Sequence, residues 1–441
     1  MNQVQQTPAR LPEALRARAR DVGQEVLSRL AERAQVIEIT VSASKSRTSQ
    51  PSWTSVDPAT GDAGLALAFG YLARIDASER WEACAHTYLV PAVTTMAEAP
   101  FQPLGLVAGV TGLAFVVRYL GQGRRHQRVL SQLDAHVNER TRYVLAHTPP
   151  EGGVFPDSYD VVYGFSGIGR YLLQAAADNP AAAALLRELL ATLVRWSWLA
   201  PPQGFWTPPG KARAIDLADA PEKIHGYLTL GLAHGIPGPL ALLSLAHETG
   251  IVVADLHEAA RVLVDTLKRE LNQTRWGPDV PYHRFLCDDV PPQGPARAAW
   301  CFGNPGVARA VQLAARAFGE AEWFALAEAL MTSAMTRPEA AMQVISPTFC
   351  HGEAGLVQLL WRFVRDQPAP NPLLCQALER RVERLLAMFD ANAPFGYRNR
   401  ERSGPPCDVP GIISGAAGCA LALLSVAGSV PADWDALMMV S

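Results

Sequence analysis

A surplus of charge of either sign is missing from these 441 residues: 39 Lys and Arg face 42 Asp and Glu, a formal net charge of −3. Binding through phosphates needs a basic surface, so nucleic acid is not an expected partner. Cysteine is scarce, with seven in the whole chain, too few for the disulfide framework of a small secreted scaffold. Met1 to Arg20 has no apolar core followed by a small-residue cleavage site, so no signal peptide is read there. Reduced thiols and a cytoplasmic location are the expectation. An unbroken apolar run of membrane length is also missing. The most apolar late stretch, Ile412 to Val430, is interrupted by Gly415, Gly418 and Gly428 and reads as a buried helix, not an integral membrane segment. Alternating strand patterns are absent beyond the short run Val36–Val41, which points to an all-α fold.

What the chain does have is a recurring glycine step. Gly61-Asp-Ala-Gly64, Gly109-Val-Thr-Gly112, Gly164-Phe-Ser-Gly167, Gly235-Ile-Pro-Gly238, Gly303-Asn-Pro-Gly306, Gly352-Glu-Ala-Gly355 and Gly415-Ala-Ala-Gly418 follow one another at intervals of 48 to 71 residues. Each opens a helical run of small and aliphatic residues, such as Leu65, Leu67, Ala68 and Leu72, or Leu113, Val116, Val117 and Leu120. The first glycine is expected to take a positive φ as the chain turns into the helix, and the second to let neighbouring helix backbones approach. Helices apolar nearly all round form an inner layer. Amphipathic segments between the steps, including Ala182–Ser197 and Leu256–Leu271, suit an outer one. Seven of each make a seven-fold α/α toroid of about 14 helices whose first and last repeats meet. Apolar residues at 49% supply its core, and closure of the ring holds a chain longer than the usual domain in one unit.

Residues 12–33 read as an amphipathic helix with Leu15, Val22, Val26 and Leu30 on one face. With the Ser/Thr/Pro-rich stretch Ser42 to Thr60 it forms a lead-in, residues 1–56, packed on the toroid domain, residues 57–441. Two Pro-rich stretches, Ala200–Ala220 and Gly277–Ala296, account for the longest intervals. They are candidate rim loops shaping a substrate cleft.

Three metal-binding side chains hold equivalent places in successive repeats: Cys301 in Trp300-Cys-Phe-Gly303, and Cys350-His351 just before Gly352. Residues at one phase of consecutive repeats project from one rim of a toroid, so these three are expected to converge. Two thiolates and an imidazole suit Zn²⁺, and three protein ligands leave a fourth position open, the mark of a catalytic zinc site. Cys287 and Cys407 are loop cysteines that offer alternative ligands. Cys84, Cys375 and Cys419 read as small buried hydrophobes. His234 precedes the fourth step, in Leu232-Ala-His-Gly-Ile-Pro-Gly238.

Trp300-Cys-Phe-Gly-Asn-Pro-Gly306, Cys350-His-Gly-Glu-Ala-Gly355, Gly231-Leu-Ala-His-Gly-Ile-Pro-Gly238 and Tyr159-Asp-Val-Val-Tyr-Gly-Phe-Ser-Gly167 together resemble the lanthionine synthetase C-like proteins, the cyclases of class I lanthipeptide biosynthesis. The resemblance runs over roughly residues 57–427. It implies the seven-fold toroid, a Zn²⁺ held by two Cys and one His, and an enzyme that adds precursor-peptide cysteine thiolates to dehydroalanine or dehydrobutyrine, closing lanthionine and methyllanthionine rings. The thiolate is the nucleophile, and coordination to zinc deprotonates a thiol outright. It further implies that residues at the positions of Asp160, His234 and Arg297 line the active site. There His234 does acid/base work, Asp160 orients or charges it, and Arg297 steadies the enolate oxygen. Alone, Asp160 reads equally as a helix cap and Arg297 as a surface residue. The family often has tyrosine directly after the first zinc cysteine; this chain has Phe302. The implied partners are a dehydrated precursor peptide, a separate dehydratase and a peptide exporter at the inner membrane face.

Other readings stay open at this point. A family relative adding a small thiol such as glutathione to dehydrated residues would use the same zinc chemistry. A zinc-dependent prenyltransferase toroid typically has six hairpins and a second subunit. A toroid glycosidase would need a carboxylate pair, for which Asp160 and Asp408 are candidates, but would leave the Cys/Cys/His set without purpose. A non-catalytic zinc-binding scaffold recruiting peptide is the remaining class.

Overall fold

In the computed structural model, residues 11–44, 53–99, 102–122, 125–290 and 293–441 are described. Every glycine step opens a helix: Asp62–Ile75, Val110–Gly121, Phe165–Ala175, Pro237–Glu248, Asn304–Phe318, Glu353–Arg365 and Ala416–Ala427. The first turns of these helices are buried on every side. All residues of Ala416–Ala427 are buried, as are the first ten of Pro237–Glu248, because a helix without a polar face has none to turn to water. The helices that follow them, Glu79–Glu98, Gln127–Ala146, Pro180–Ser197, Leu256–Arg269, Ala321–Met335 and Pro372–Ala387, bury one stripe each. In Leu256–Arg269 the stripe is Leu256, Ala259, Ala260, Leu263, Val264 and Leu267, the spacing of a single helix face. Helix Glu13–Arg29 supplies the matching partner for Ala416–Ala427, with Gly23 seated against Leu424 and Ala420.

The glycines act differently from the simple expectation. Among the first glycines only Gly109 and Gly303 have left-handed φ, +142° and +79°, whereas Gly61, Gly164, Gly352 and Gly415 are extended. The second glycine clears its own entry loop. A Cβ on Gly64, Gly167, Gly306 or Gly418 would stand 2.0, 2.1, 2.2 or 1.9 Å from the carbonyl oxygen six residues back, of Pro58, Val161, Trp300 or Ile412. Each of these four steps is thus a tight loop folded over the first turn of its helix, and no side chain fits beneath it.

The run Val36–Val41 is helical, within Arg33–Ser44, and not a strand. Two interactions override its β-branched composition. Arg33 is paired through Nε and Nη2 with the buried carboxylate of Asp62, at 2.5 and 2.9 Å, and Thr40 Oγ1 donates to the Val36 carbonyl at 2.7 Å. Residues 45–52 of the Ser/Thr/Pro-rich stretch and 291–292 of the second Pro-rich stretch lie outside the described residues.

The chain forms two compact units. The first contains Met1–Phe101, Val116–Arg125 and Gln343–Asp435; the second contains Gln102–Phe115, His126–Met342 and Ala436–Ser441. Within each, consecutive entry loops are joined by backbone hydrogen bonds. In the second unit Val107 N donates to Val162 O (3.2 Å), Val161 N to Ala233 O (3.0 Å) and Ala233 N to Cys301 O (3.2 Å). In the first, Cys350 N donates to Ile413 O (2.9 Å) and Ile413 N to Ala59 O (3.4 Å), so the last glycine step lies beside the first.

The second Pro-rich stretch supplies one strand to each of two short ribbons where no strand was expected. Tyr227–Thr229 pairs antiparallel with His283–Phe285, and Asn272–Thr274 with Gly277–Asp279. Asn304, inside the fifth glycine step, fastens them to the buried layer: Oδ1 accepts from Val280 N at 2.9 Å, and Nδ2 donates to Pro278 O at 2.8 Å and Leu330 O at 3.1 Å. The buried Arg337–Asp279 ion pair grips the backbone of Ala296 from both sides. Among the described residues no helix is long and apolar enough to cross a membrane.

Candidate active site

Asp160 and His234 are brought together in the second unit. Asp160 is fully buried in the turn ahead of helix Phe165–Ala175. One carboxylate oxygen, Oδ1, accepts the backbone N–H groups of Tyr163 and Gly164 at 2.6 and 2.8 Å. The other, Oδ2, lies 2.6 Å from His234 Nδ1. One oxygen thus ties down the turn and the other meets the histidine; Asp160 is not the helix cap, because Gly164 holds the N-cap position and no side chain caps the helix. A carboxylate on Nδ1 fixes the ring with Nδ1 protonated. Nε2 has no hydrogen-bond partner among the described residues, and the ring is 38% exposed.

Burial alone would lower the His234 pKa. The hydrogen bond and charge of Asp160, followed by Cys301 and Asp157, outweigh it and raise the pKa above the ordinary histidine value. The cationic ring is stabilised without losing its exchangeable Nε2 site. That is the arrangement of a general acid/base.

Cys301 is buried, and its carbonyl holds Ala233, so thiol and imidazole stem from neighbouring backbone. The Phe302 ring lies 6.3 Å from that of His234. Arg297 lies four residues before Cys301 and is half-buried. Its backbone N–H donates to Tyr282 Oη at 2.9 Å, and its guanidinium has no partner among the described residues.

Sequence reasoning missed the aromatic wall on the far side of Phe302. Tyr282 meets that ring edge-on at 5.3 Å and His283 at 5.9 Å. His283 is buried, with Nδ1 lacking any partner among the described residues. Burial, then the charge of Lys223, pushes its pKa down to about 3, so it stays neutral. Neither residue lies at a glycine step, and the only available signal was their place in a Pro-rich stretch.

Cys350 and His351 belong to the first unit. The Cys350 amide is fixed by Ile413. His351 is largely buried; its Nε2 lies 3.1 Å from Glu401 Oε1 but without hydrogen-bond alignment. A buried imidazole nitrogen left unsatisfied is a poor core arrangement and fits a metal-ligating one, as do the thiol donors of Cys350 and Cys301. Among the described residues no three His, Cys, Asp or Glu side chains are gathered closely enough to hold a metal ion. Of the other thiols, Cys407 and Cys419 are buried and Cys84, Cys287 and Cys375 half-buried. Burial pushes the Cys84, Cys375 and Cys419 thiols up, which suits inert packing groups more than ligands. Asp408 is bound to Arg398 at 3.1 Å, and Asp160 is committed to His234, so the carboxylate pair of a glycosidase has no support.

The sequence model of the lanthionine synthetase C-like protein family matches residues 52–439. The chain belongs to that family. Nisin biosynthesis protein NisC of Lactococcus lactis subsp. lactis is 24% identical over 315 residues, 69% of this chain and 73% of that protein. The solved structure of nisin cyclase covers 92% of this chain and 97% of its own, with a TM-score of 0.75 at 19% identity. That likeness fixes the fold of this family member as an α/α toroid.

Proposed function

We propose that this chain is a zinc-dependent lanthipeptide cyclase, adding cysteine thiols of a dehydrated precursor peptide to dehydroalanine or dehydrobutyrine. One observation carries the reading: a histidine fixed at Nδ1 by a buried carboxylate and open at Nε2, beside a buried cysteine, in a chain of this family. Cys301, Cys350 and His351 would hold the Zn²⁺. When bound, the ion supplies Lewis-acid ionisation of the substrate thiol, which near neutral pH is otherwise only slightly ionised.

The remaining steps belong to this chain's own side chains. His234 Nε2 takes the thiol proton. As the S–Cβ bond forms, the Cα=Cβ electron pair moves onto the acyl oxygen, where the Arg297 guanidinium opposes the charge. His234 then returns its proton to Cα and the enolate pair collapses back, so the ring closes with no net proton lost. Asp160 holds the ring for both transfers, fixing the neutral imidazole as its Nδ1–H tautomer and stabilising the imidazolium once Nε2 has taken the proton. In this reading the dehydrated peptide comes from a separate dehydratase, with the cyclase working beside it and a peptide exporter in the cytoplasm.

The test is metal content measured alongside ring formation from a dehydrated peptide. Cys301→Ala, Cys350→Ala and His351→Ala are expected to lose both zinc and thioether formation, whereas His234→Asn keeps zinc and loses turnover. Wild-type rates in metal-free Cys350→Ala protein would refute the proposal.

A further inference from the structure

The hydroxyl of Tyr282 anchors the Arg297 backbone through its oxygen and keeps its proton to spare. Its oxygen accepts the Arg297 backbone N–H at 2.9 Å, which uses a lone pair and leaves the O–H proton uncommitted. No acceptor for that proton exists among the described residues, and the residue is half-buried, not enclosed. Elsewhere the residue is held from every direction. Its amide donates to Gln293 Oε1 at 3.0 Å. Its carbonyl accepts from Leu230 N at 3.1 Å, four residues before His234. Its ring rests edge-on against Phe302, the ring that His234 flanks from another side. Gln293 also binds His283, accepting from its N–H at 3.4 Å and donating to its carbonyl at 3.2 Å.

We infer that Tyr282 is a hydrogen-bond donor to the substrate acyl oxygen, acting with Arg297 as negative charge develops there. This rests on the cyclase reading above. As sulfur bonds to Cβ, the π pair of the Cα=Cβ bond becomes the enolate lone pair on oxygen. The Tyr282 O–H shares its proton with that oxygen without transferring it, and the pair returns to Cα when His234 delivers its proton. The phenol neither gains nor loses an atom. A donor fixed on three sides before substrate arrives needs no reorganisation during the reaction, the condition under which such bonds lower a barrier most. Phe302, directly after Cys301, has no hydroxyl, so Tyr282 is the phenol that this wall of the site provides.

The experiment compares wild type with Tyr282→Phe in the full chain, zinc-loaded, on a dehydrated peptide, together with fluorotyrosines of graded acidity placed at position 282. Tyr282→Phe is expected to keep wild-type zinc content and a KM within about threefold, with kcat reduced about 10- to 100-fold. The fluorotyrosines are expected to restore turnover and to make kcat follow phenol acidity, a response that packing alone would not produce. Unchanged kcat in Tyr282→Phe, or a kcat indifferent to phenol acidity, overturns the assignment while leaving the cyclase reading intact. Wild-type protein that forms no rings overturns the cyclase reading and the assignment with it.

Discussion

Asp160 does two jobs with two oxygens, and separating them is a question about one residue. Asp160→Asn keeps an acceptor for the Tyr163 and Gly164 amides but withdraws the negative charge from His234. Burial then prevails and the histidine pKa falls. If the imidazolium is the proton donor to Cα, the alkaline limb of the cyclisation rate moves to lower pH, and kcat drops about 10²-fold. The same shift appears in stability. A folded-state pKa raised above the ordinary value of 6.5 stabilises the protein fully below that value and loses the contribution as pH rises through the raised one. The gap in denaturation midpoint between wild type and Asp160→Asn is therefore expected to be widest in mild acid and to narrow toward alkaline pH. With the ring 38% exposed, solvent screening keeps this gap small. NMR titration of the His234 ring checks the pKa directly.

The repeating element is a loop that folds over the first turn of its own helix, and its glycines showed in the sequence because no other residue fits under the carbonyl. Gly306→Ala places a methyl 2.2 Å from Trp300 O and must push out the loop bearing Cys301. A loss of about 2–4 kcal/mol in unfolding free energy is expected, together with weaker zinc binding, measured by denaturant titration and metal competition. The helices were equally legible, since period 3.6 is written into every buried stripe. Elements whose form depends on distant partners were not. The β-branched run 36–41 lies in a helix whose first residue, Arg33, pairs with the distant Asp62, and the three-residue ribbons at 227–229 and 283–285 are too short to leave a period. Cys301, Cys350, His351 and His234 were conspicuous because they sit at glycine steps. Tyr282 and Glu401 were not, because proximity in space placed them and no spacing announced it.

At the scale of the molecule, the last residues are part of the core. Met438, Met439 and Val440 are buried, and within the second unit the backbone of residues 438–441 receives three side-chain donors. Trp300 Nε1 donates to Met438 O at 2.9 Å, Arg309 Nε to Val440 O at 2.8 Å, and Arg170 Nε to Ser441 O at 2.9 Å. Deleting residues 438–441 would remove the acceptors of the Trp300 indole N–H and Arg309 Nε from a buried setting, and a loss of about 3 kcal/mol or more is expected. Because Trp300 adjoins Cys301, metal affinity should weaken in the same variant, which zinc competition would reveal. That coupling was invisible in the sequence, where Trp300 and Met438 lie far apart and share no pattern.

The position just ahead of each first glycine is occupied in turn by Thr60, Ala108, Tyr163, His234, Phe302, His351 and Ser414. A scaffold built this way offers one address seven times, with the backbone at each already fixed by its own helix entry. Ala108 and Ser414 hold that address without reactive groups of their own, which makes this architecture a natural starting point for installing a second reactive centre.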